Sequence, residues 1–109
     1  MRARRALVIR LRPERREKYL ANHRAVWPQV QEAMRQAGHR NYSLFLRDDL
    51  LFCYFEHDPG VDIDRLRAAM RALPELQPWL ELMNACQQPI ASAGPSEWWS
   101  SMEEVYHLD

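Results

Sequence analysis

Three side chains with polar groups recur at four-residue steps between positions 19 and 27. Tyr19, His23 and Trp27 supply a phenol, an imidazole and an indole. Residues four apart lie above one another on a helix, so the three form a single stripe. An ordinary core stripe would be aliphatic. The stripe suits a wet, concave site for a small polar ligand, and it also suits an amphipathic helix with one partly exposed imidazole.

The composition limits the classes of partner. The chain has 109 residues, which suits one domain over residues 1–109. It carries 15 acidic and 15 basic residues, and this balance argues against a nucleic-acid binder or a polybasic membrane anchor. The apolar run near the N-terminus is too short for a signal peptide or a spanning helix. We therefore expect a cytoplasmic protein with no nucleic-acid or membrane partner.

No cofactor or metal site is predicted. Cys53 and Cys86 are too few for a disulfide scaffold or a zinc site. The three glycines form no phosphate-binding loop. Glu32 and His23 do not have metal-ligand spacing on one helix face.

The stripe lies in a predicted helix that follows a strand and ends at a proline. Residues 6–11 are apolar and partly β-branched, which predicts a strand. Pro13 followed by an acidic residue is typical of a helix N-terminus, and we predict a helix over residues 14–25. Pro28 ends that helix because proline disfavours helix at the preceding residue. It also begins a second helix, which ends at Gly38.

The second half of the chain predicts a hairpin, a helix interrupted by proline, and a last strand. The predicted elements, in order, are strands 41–47 and 50–56, a helix capped by Asp62 or Asp64 and interrupted at Pro74, its continuation over 76–84, a loop over 87–97, and a strand over 102–108.

The order of these elements predicts an α+β fold. Strand, helix, hairpin, helix and strand make the βαββαβ pattern of the ferredoxin-like split βαβ sandwich. In this fold the helices lie on one face of the sheet. The nearly continuous apolarity of residues 50–55 calls for cover on the other face as well. A second sheet from a partner subunit would supply it, so we expect a homodimer of the dimeric α/β barrel type.

The chain resembles the L-rhamnose mutarotase family over nearly its whole length. Members of this family are small dimeric ferredoxin-like enzymes that interconvert the α and β anomers of L-rhamnose. The matching features are the opening strand, Tyr19 with His23, Val26-Trp27-Pro28, Gly38 followed by Asn41-Tyr42, the hairpin, Trp79, and residues 104–108.

The resemblance implies the roles of five residues. The family's proton donor is a histidine four residues after a tyrosine, and it falls on His23. Sugar-contacting positions fall on Tyr19, Tyr42 and Trp79. A Trp-Trp pair of the family is Trp79-Leu80 here, so Leu80 is expected to widen the substrate site and to relax the choice among 6-deoxy sugars such as L-fucose.

Mutarotation opens and closes the pyranose ring of a monosaccharide. A base takes the anomeric hydroxyl proton, and an acid protonates the ring oxygen. Histidine suits both steps because its pKa lies near working pH. The reaction requires no metal, nucleotide or covalent intermediate, which agrees with the lack of a cofactor motif.

Other aromatic and histidine residues have two interpretations each. Tyr42 is either an ordinary strand aromatic or a site residue, and Trp27 is expected to pack at the helix–proline corner. Trp98 and Trp99 either close the pocket or pack on the dimer. His107 is either a second proton-transfer group or a partner in a structural hydrogen bond.

Two functions from other classes use the same scaffold. A cofactor-free ferredoxin-like monooxygenase would form quinones under air. A non-catalytic dimeric sugar-binding module would bind sugars without accelerating anomer exchange.

Overall fold

An antiparallel sheet of five strands forms one layer of the computed structural model, which describes residues 1–109. Along the sheet the order is β2-β3-β1-β4, and β5 also pairs with β1. Since β3 occupies one edge of β1, the short strands β4 and β5 share the other edge. The strands are β1 (Ala3–Leu11), β2 (Arg40–Arg47), β3 (Leu50–His57), β4 (Gln87–Gln88) and β5 (Ser100–Ser101).

Four α-helices form the second layer. Helix α1 packs against α4, and α2 packs against α3. None of the helices is long and apolar enough to cross a membrane. The predicted ferredoxin-like α+β order of elements is confirmed. The helices are α1 (Arg16–His23), α2 (Pro28–Gln36), α3 (Ile63–Arg71) and α4 (Gln77–Cys86), with 3₁₀ turns at Pro13–Arg15 and Pro74–Leu76 before α1 and α4.

The strand register assigns the apolar side chains to two faces. Leu44 pairs with Cys53, and Cys53 pairs with Leu7; this row faces the helices, where Cys53 packs with Ile63 of α3. The neighbouring row runs from Phe45 to Phe52 and lies on the opposite face, because successive side chains of a strand alternate between faces. No helix covers that second face, which we call the outer face.

The core fills the space between the helices and the sheet. Ile9 and Leu11 of β1 are almost fully buried, as are Leu51 of β3 and Leu76 before α4. Each buried aliphatic side chain of this size contributes about 1.5–3 kcal/mol through loss of apolar contact with water. The core therefore fixes the helices at one distance from the sheet.

The hairpin turn is fixed by its residues. Asp48 has a positive φ of 54°, a conformation that two-residue hairpin loops use and that aspartate tolerates. Arg10 of β1 donates to the Asp49 carboxylate at 2.7 Å and 3.1 Å. The turn is thereby tied to the neighbouring strand.

The helix predicted over residues 14–25 is shorter than expected. A 3₁₀ turn occupies Pro13–Arg15, and α1 ends at His23. Trp27 is extended, with ψ of 135°, because the ring of Pro28 excludes the helical conformation there. The chain must leave the helix a few residues earlier to reach that geometry. His23 consequently lies at the C-terminal end of α1 rather than in its middle.

The last strand also differs from the prediction. Regular pairing covers Gln87–Gln88 and Ser100–Ser101 rather than residues 102–108. Leu7 pairs with Ser101. If this antiparallel pairing continued, residue 105 would lie opposite Ala3, the first residue of β1. Val105, Tyr106 and Leu108 are exposed, because within this chain no layer lies over them. Their alternating pattern indicated a strand, but the regular pairing with β1 ends at Ser101.

Helix α3 begins with a side-chain cap, which provides a test of local stability. The Asp62 carboxylate accepts a hydrogen bond from the Arg65 amide at 3.2 Å. We expect Asp62→Ala to lower the free energy of unfolding by about 1 kcal/mol, measured by urea denaturation. Asp62→Asn, which keeps an acceptor, should stay close to the native protein. Equal losses in both variants would contradict the role of the cap.

Candidate active site

A cavity of about 900 Å³ lies between the helices and the helix-facing side of the sheet. This volume is at the upper end of the range for small-molecule sites. All four α-helices and β2 contribute to its wall. Every residue that the sequence assigned to the site lines this one cavity: Tyr19, His23, Tyr42, Trp79 and Leu80.

His23 is held in one tautomer. Its Nδ1 lies 2.9 Å from the carbonyl oxygen of Tyr19. A carbonyl oxygen can only accept, so in the neutral ring Nδ1 carries the hydrogen and Nε2 carries the lone pair. Nε2 makes no hydrogen bond within the chain. The anchored ring therefore presents a base to the cavity.

Burial keeps this base neutral. Loss of water around the imidazole lowers the pKa of His23, and the hydrogen bond to the Tyr19 carbonyl raises it only in part. Desolvation disfavours the charged form. At neutral pH the ring is consequently ready to accept a proton.

The hydroxyl of Tyr19 makes no hydrogen bond within the chain, so its O–H is free to donate. Trp98 Nε1 donates to Gln87 Oε1 at 3.0 Å, and the Gln87 side chain offsets part of the effect of burial on the pKa of Tyr19. Burial raises the pKa of Tyr19 well above its ordinary value, so the phenol keeps its proton at working pH.

The aromatic rings around His23 form a compact group. The ring centroids of Tyr19 and His23 are 4.2 Å apart, and Trp79 meets His23 edge-on at 5.5 Å. Trp27 packs on Trp79 at 5.1 Å and lies behind the wall, at the helix–proline corner where we expected it. Leu80 is half-buried beside Trp79. We call Tyr19, His23 and Trp79 the histidine group.

Tyr42 belongs to a second group in the same cavity. Its ring lies 5.5 Å from that of His39 and 6.0 Å from that of Phe55. The guanidinium of Arg67 lies over Phe55, 4.6 Å from the ring centroid. Tyr42 is 36% exposed, so it forms part of the cavity wall rather than of the core.

Some residues considered from the sequence lie away from the cavity. His107 pairs with Asp109 at 2.8 Å on the exposed tail, which agrees with a structural hydrogen bond. Trp98 donates to Gln87, whereas Trp99 lines the wall. His39 is buried against the cavity, where Nδ1 donates to the Met34 carbonyl at 3.0 Å.

Sequence reasoning missed several residues of the wall. Gln87 was assigned to a loop because the stretch that it begins, residues 87–97, is rich in proline, serine and glycine. Arg67 and Arg71 were given no role, although they lie one turn apart. Their four-residue spacing marks a common face, and this was the available signal.

The ferredoxin-like fold and the anchored histidine beside an indole define a small-molecule site suited to acid–base chemistry. The sequence model of the L-rhamnose mutarotase family matches residues 4–108, and the chain belongs to this family.

Two relatives and two solved structures are similar to the chain over most of its length. A protein of Dictyostelium discoideum is 34% identical over 85% of this chain and 78% of its own length. The L-rhamnose mutarotase of Listeria monocytogenes serotype 4b is 33% identical over 94% of this chain and 95% of that protein.

The two solved structures share the fold at lower sequence identity. The L-rhamnose mutarotase of Formosa agariphila has a TM-score of 0.74 at 19% identity, covering 98% of this chain and 99% of that one. Tetracenomycin F2 cyclase of Streptomyces glaucescens has a TM-score of 0.71 at 24% identity, covering 98% and 97%.

The anchoring of His23 can be tested without any substrate. We predict that its imidazole titrates below the ordinary pKa of about 6.5 and that the neutral ring is protonated on Nδ1. Nitrogen-detected NMR of the folded protein reports both properties, and the urea-unfolded chain serves as the matched control. A neutral ring protonated on Nε2 would contradict the hydrogen bond to Tyr19.

Proposed function

We propose that this protein is an aldose mutarotase that interconverts the α and β anomers of L-rhamnose. The observation that carries the proposal is the anchored, neutral imidazole of His23 beside Trp79 in the wall of the cavity. Membership of the L-rhamnose mutarotase family supports the choice of sugar.

In the proposed reaction His23 Nε2 takes the proton of the anomeric hydroxyl. The bond between the anomeric carbon and the ring oxygen then breaks, the anomeric carbon becomes an aldehyde, and the ring oxygen receives a proton. The imidazolium of His23 returns its proton to the ring oxygen, and Tyr19, with its free O–H, is placed to hydrogen-bond and orient the sugar. Rotation of the aldehyde and the reverse steps close the ring as the other anomer. Protons and electrons balance within the sugar and His23.

Trp79 and Leu80 would shape the pocket around the sugar. An indole face packs well against the apolar C–H face and the methyl group of a deoxysugar. Leucine offers a smaller wall and no N–H donor, which leaves room beside the ring. Tyr42 would contact the sugar from the opposite wall. A site of this shape holds L-rhamnose and tolerates related 6-deoxy sugars.

We propose in addition that the protein is a homodimer formed through the outer face. Phe45 is 61% exposed and Leu50 37% exposed there, and Phe52 lies directly opposite Phe45. The tail beside this sheet exposes Val105 and Tyr106 as well. A two-fold pairing of sheets would bury these side chains. The buried free thiols of Cys53 and Cys86 suit a reducing cytoplasm.

Replacing His23 tests the reaction directly. The native protein should accelerate L-rhamnose anomer exchange without added metal or nucleotide, and His23→Ala should lower the rate by about 10²-fold or more. The rate of the native protein should fall as pH drops through the lowered pKa of His23, because protonation removes the base. Saturation-transfer NMR measures exchange in both.

The matched control for this experiment is His107→Ala, which removes an exposed histidine from the tail and should leave exchange unchanged. A native rate equal to that of buffer would refute mutarotase activity, and sugar binding without acceleration would favour a binding module. An unchanged rate in His23→Ala would mean that another residue is the acid–base group.

The position of Leu80 predicts relaxed sugar selectivity. Leu80→Trp should sharpen the preference for L-rhamnose over L-fucose or L-lyxose by about 1–3 kcal/mol, the usual value of one pocket contact. Exchange rates of the three sugars in the native protein and in the variant give this ratio. If the ratio does not change, Leu80 does not contact the sugar.

A charge on the outer face tests the dimer. Phe45→Asp should shift the protein to a monomer at micromolar concentration, because a buried unpaired carboxylate would oppose association. Sedimentation velocity measures the state, and Gln29→Asp, on the exposed first turn of α2, is the control. A native protein that sediments as a monomer would refute the dimer.

A further inference from the structure

Two arginine side chains of α3 face the cavity, and neither forms an ion pair with a carboxylate. Arg67 and Arg71 lie one turn apart, and both line the wall. The guanidinium of Arg67 rests on the Phe55 ring at 4.6 Å, an arrangement that fixes its position. The ion pairs of the chain involve other basic residues. We call Arg67 and Arg71 the arginine group.

The surroundings of the arginine group are cationic. None of the 22 residues that line the cavity is aspartate or glutamate, whereas four are arginine. Burial lowers the pKa of Arg71, and the nearby charge of Arg67 lowers it further. Two half-buried like charges without an acid oppose one another, so an anion placed between them would be strongly favoured. Planar guanidinium groups match the oxygens of carboxylate and phosphate.

The arginine and histidine groups line the same cavity, and Tyr42 lies in its wall with them. The cavity of about 900 Å³ exceeds what a single neutral hexose ring needs. A neutral deoxysugar beside His23 would leave the arginine group without a partner.

We propose that the arginine group binds the oxyanion of a reducing sugar that carries a phosphate or carboxylate remote from its anomeric carbon. The histidine group then faces the anomeric centre of the same molecule. The acceleration of anomer exchange in such a sugar rests on the proposed function, whereas binding of the anion does not. The protein would accordingly accept anionic sugars as well as L-rhamnose.

Three sugars that differ at one carbon test this proposal. D-Galactose, D-galacturonate and D-galactose 6-phosphate carry a hydroxyl, a carboxylate and a phosphate at C6. Saturation-transfer NMR should give a kcat/KM for at least one anionic sugar about tenfold or more above that of D-galactose. The advantage should shrink with added salt, and the sugar with the larger ratio identifies the preferred oxyanion.

Charge removal from α3 supplies the second measurement. Arg67→Gln and Arg71→Gln should each reduce the anionic-to-neutral ratio about tenfold, while Arg67→Lys should keep part of it. Arg65→Gln, an exposed arginine of the same helix, is the matched control and should keep the native ratio. A native ratio of one, or equal ratios in the native protein and both glutamine variants, would overturn the proposal.

Calorimetric titration with inorganic phosphate separates this proposal from the proposed function, since it needs no reaction. Binding to the native protein and its loss in both glutamine variants would support the arginine group even if no sugar exchanged anomers. Exchange of L-rhamnose without any binding of phosphate or selectivity for an anionic sugar would sustain the mutarotase and refute the anion site.

Discussion

The sheet carries apolar side chains on both faces, but the helices of the chain reach only one of them. Ile9 and Leu51 are buried on the face that the helices cover, whereas Phe45 is exposed on the outer face. The cavity lies between the two layers and is lined by residues of all four helices and of β2. The same one-sided cover thus produces both a pocket and a sheet face suited to a second copy.

The imidazole of His23 owes its properties to its place at the end of a helix. Pro28 forces Trp27 into an extended conformation, and α1 ends at His23 as a result. At that position the ring folds back on the Tyr19 carbonyl and contacts Trp79. The proline break therefore contributes to the chemistry through backbone geometry alone.

Local patterns predicted the elements and one side of the site. The proline and glycine signals gave the helix ends within a few residues, and the four-residue spacing brought Tyr19 and His23 together. Pairing between distant segments could not be predicted, so the position of Gln87 beside Leu11 of β1 and the contact of Arg67 with Phe55 were missed. The strand predicted over 102–108 was wrong for the same reason, since the regular pairing with β1 ends at Ser101. The assigned roles of the site residues remain predictions.

All four tryptophans belong to the surroundings of the cavity. Trp79 and Trp99 line it, and Trp27 packs on Trp79. Trp98 donates a hydrogen bond to Gln87, which lies in the same wall. The tryptophan fluorescence of the chain therefore comes entirely from indoles around the cavity, because there is no tryptophan elsewhere. The imidazole edge-on to Trp79 is a quencher when it is charged. The protein carries a built-in optical probe of ligand occupancy and of the protonation of His23.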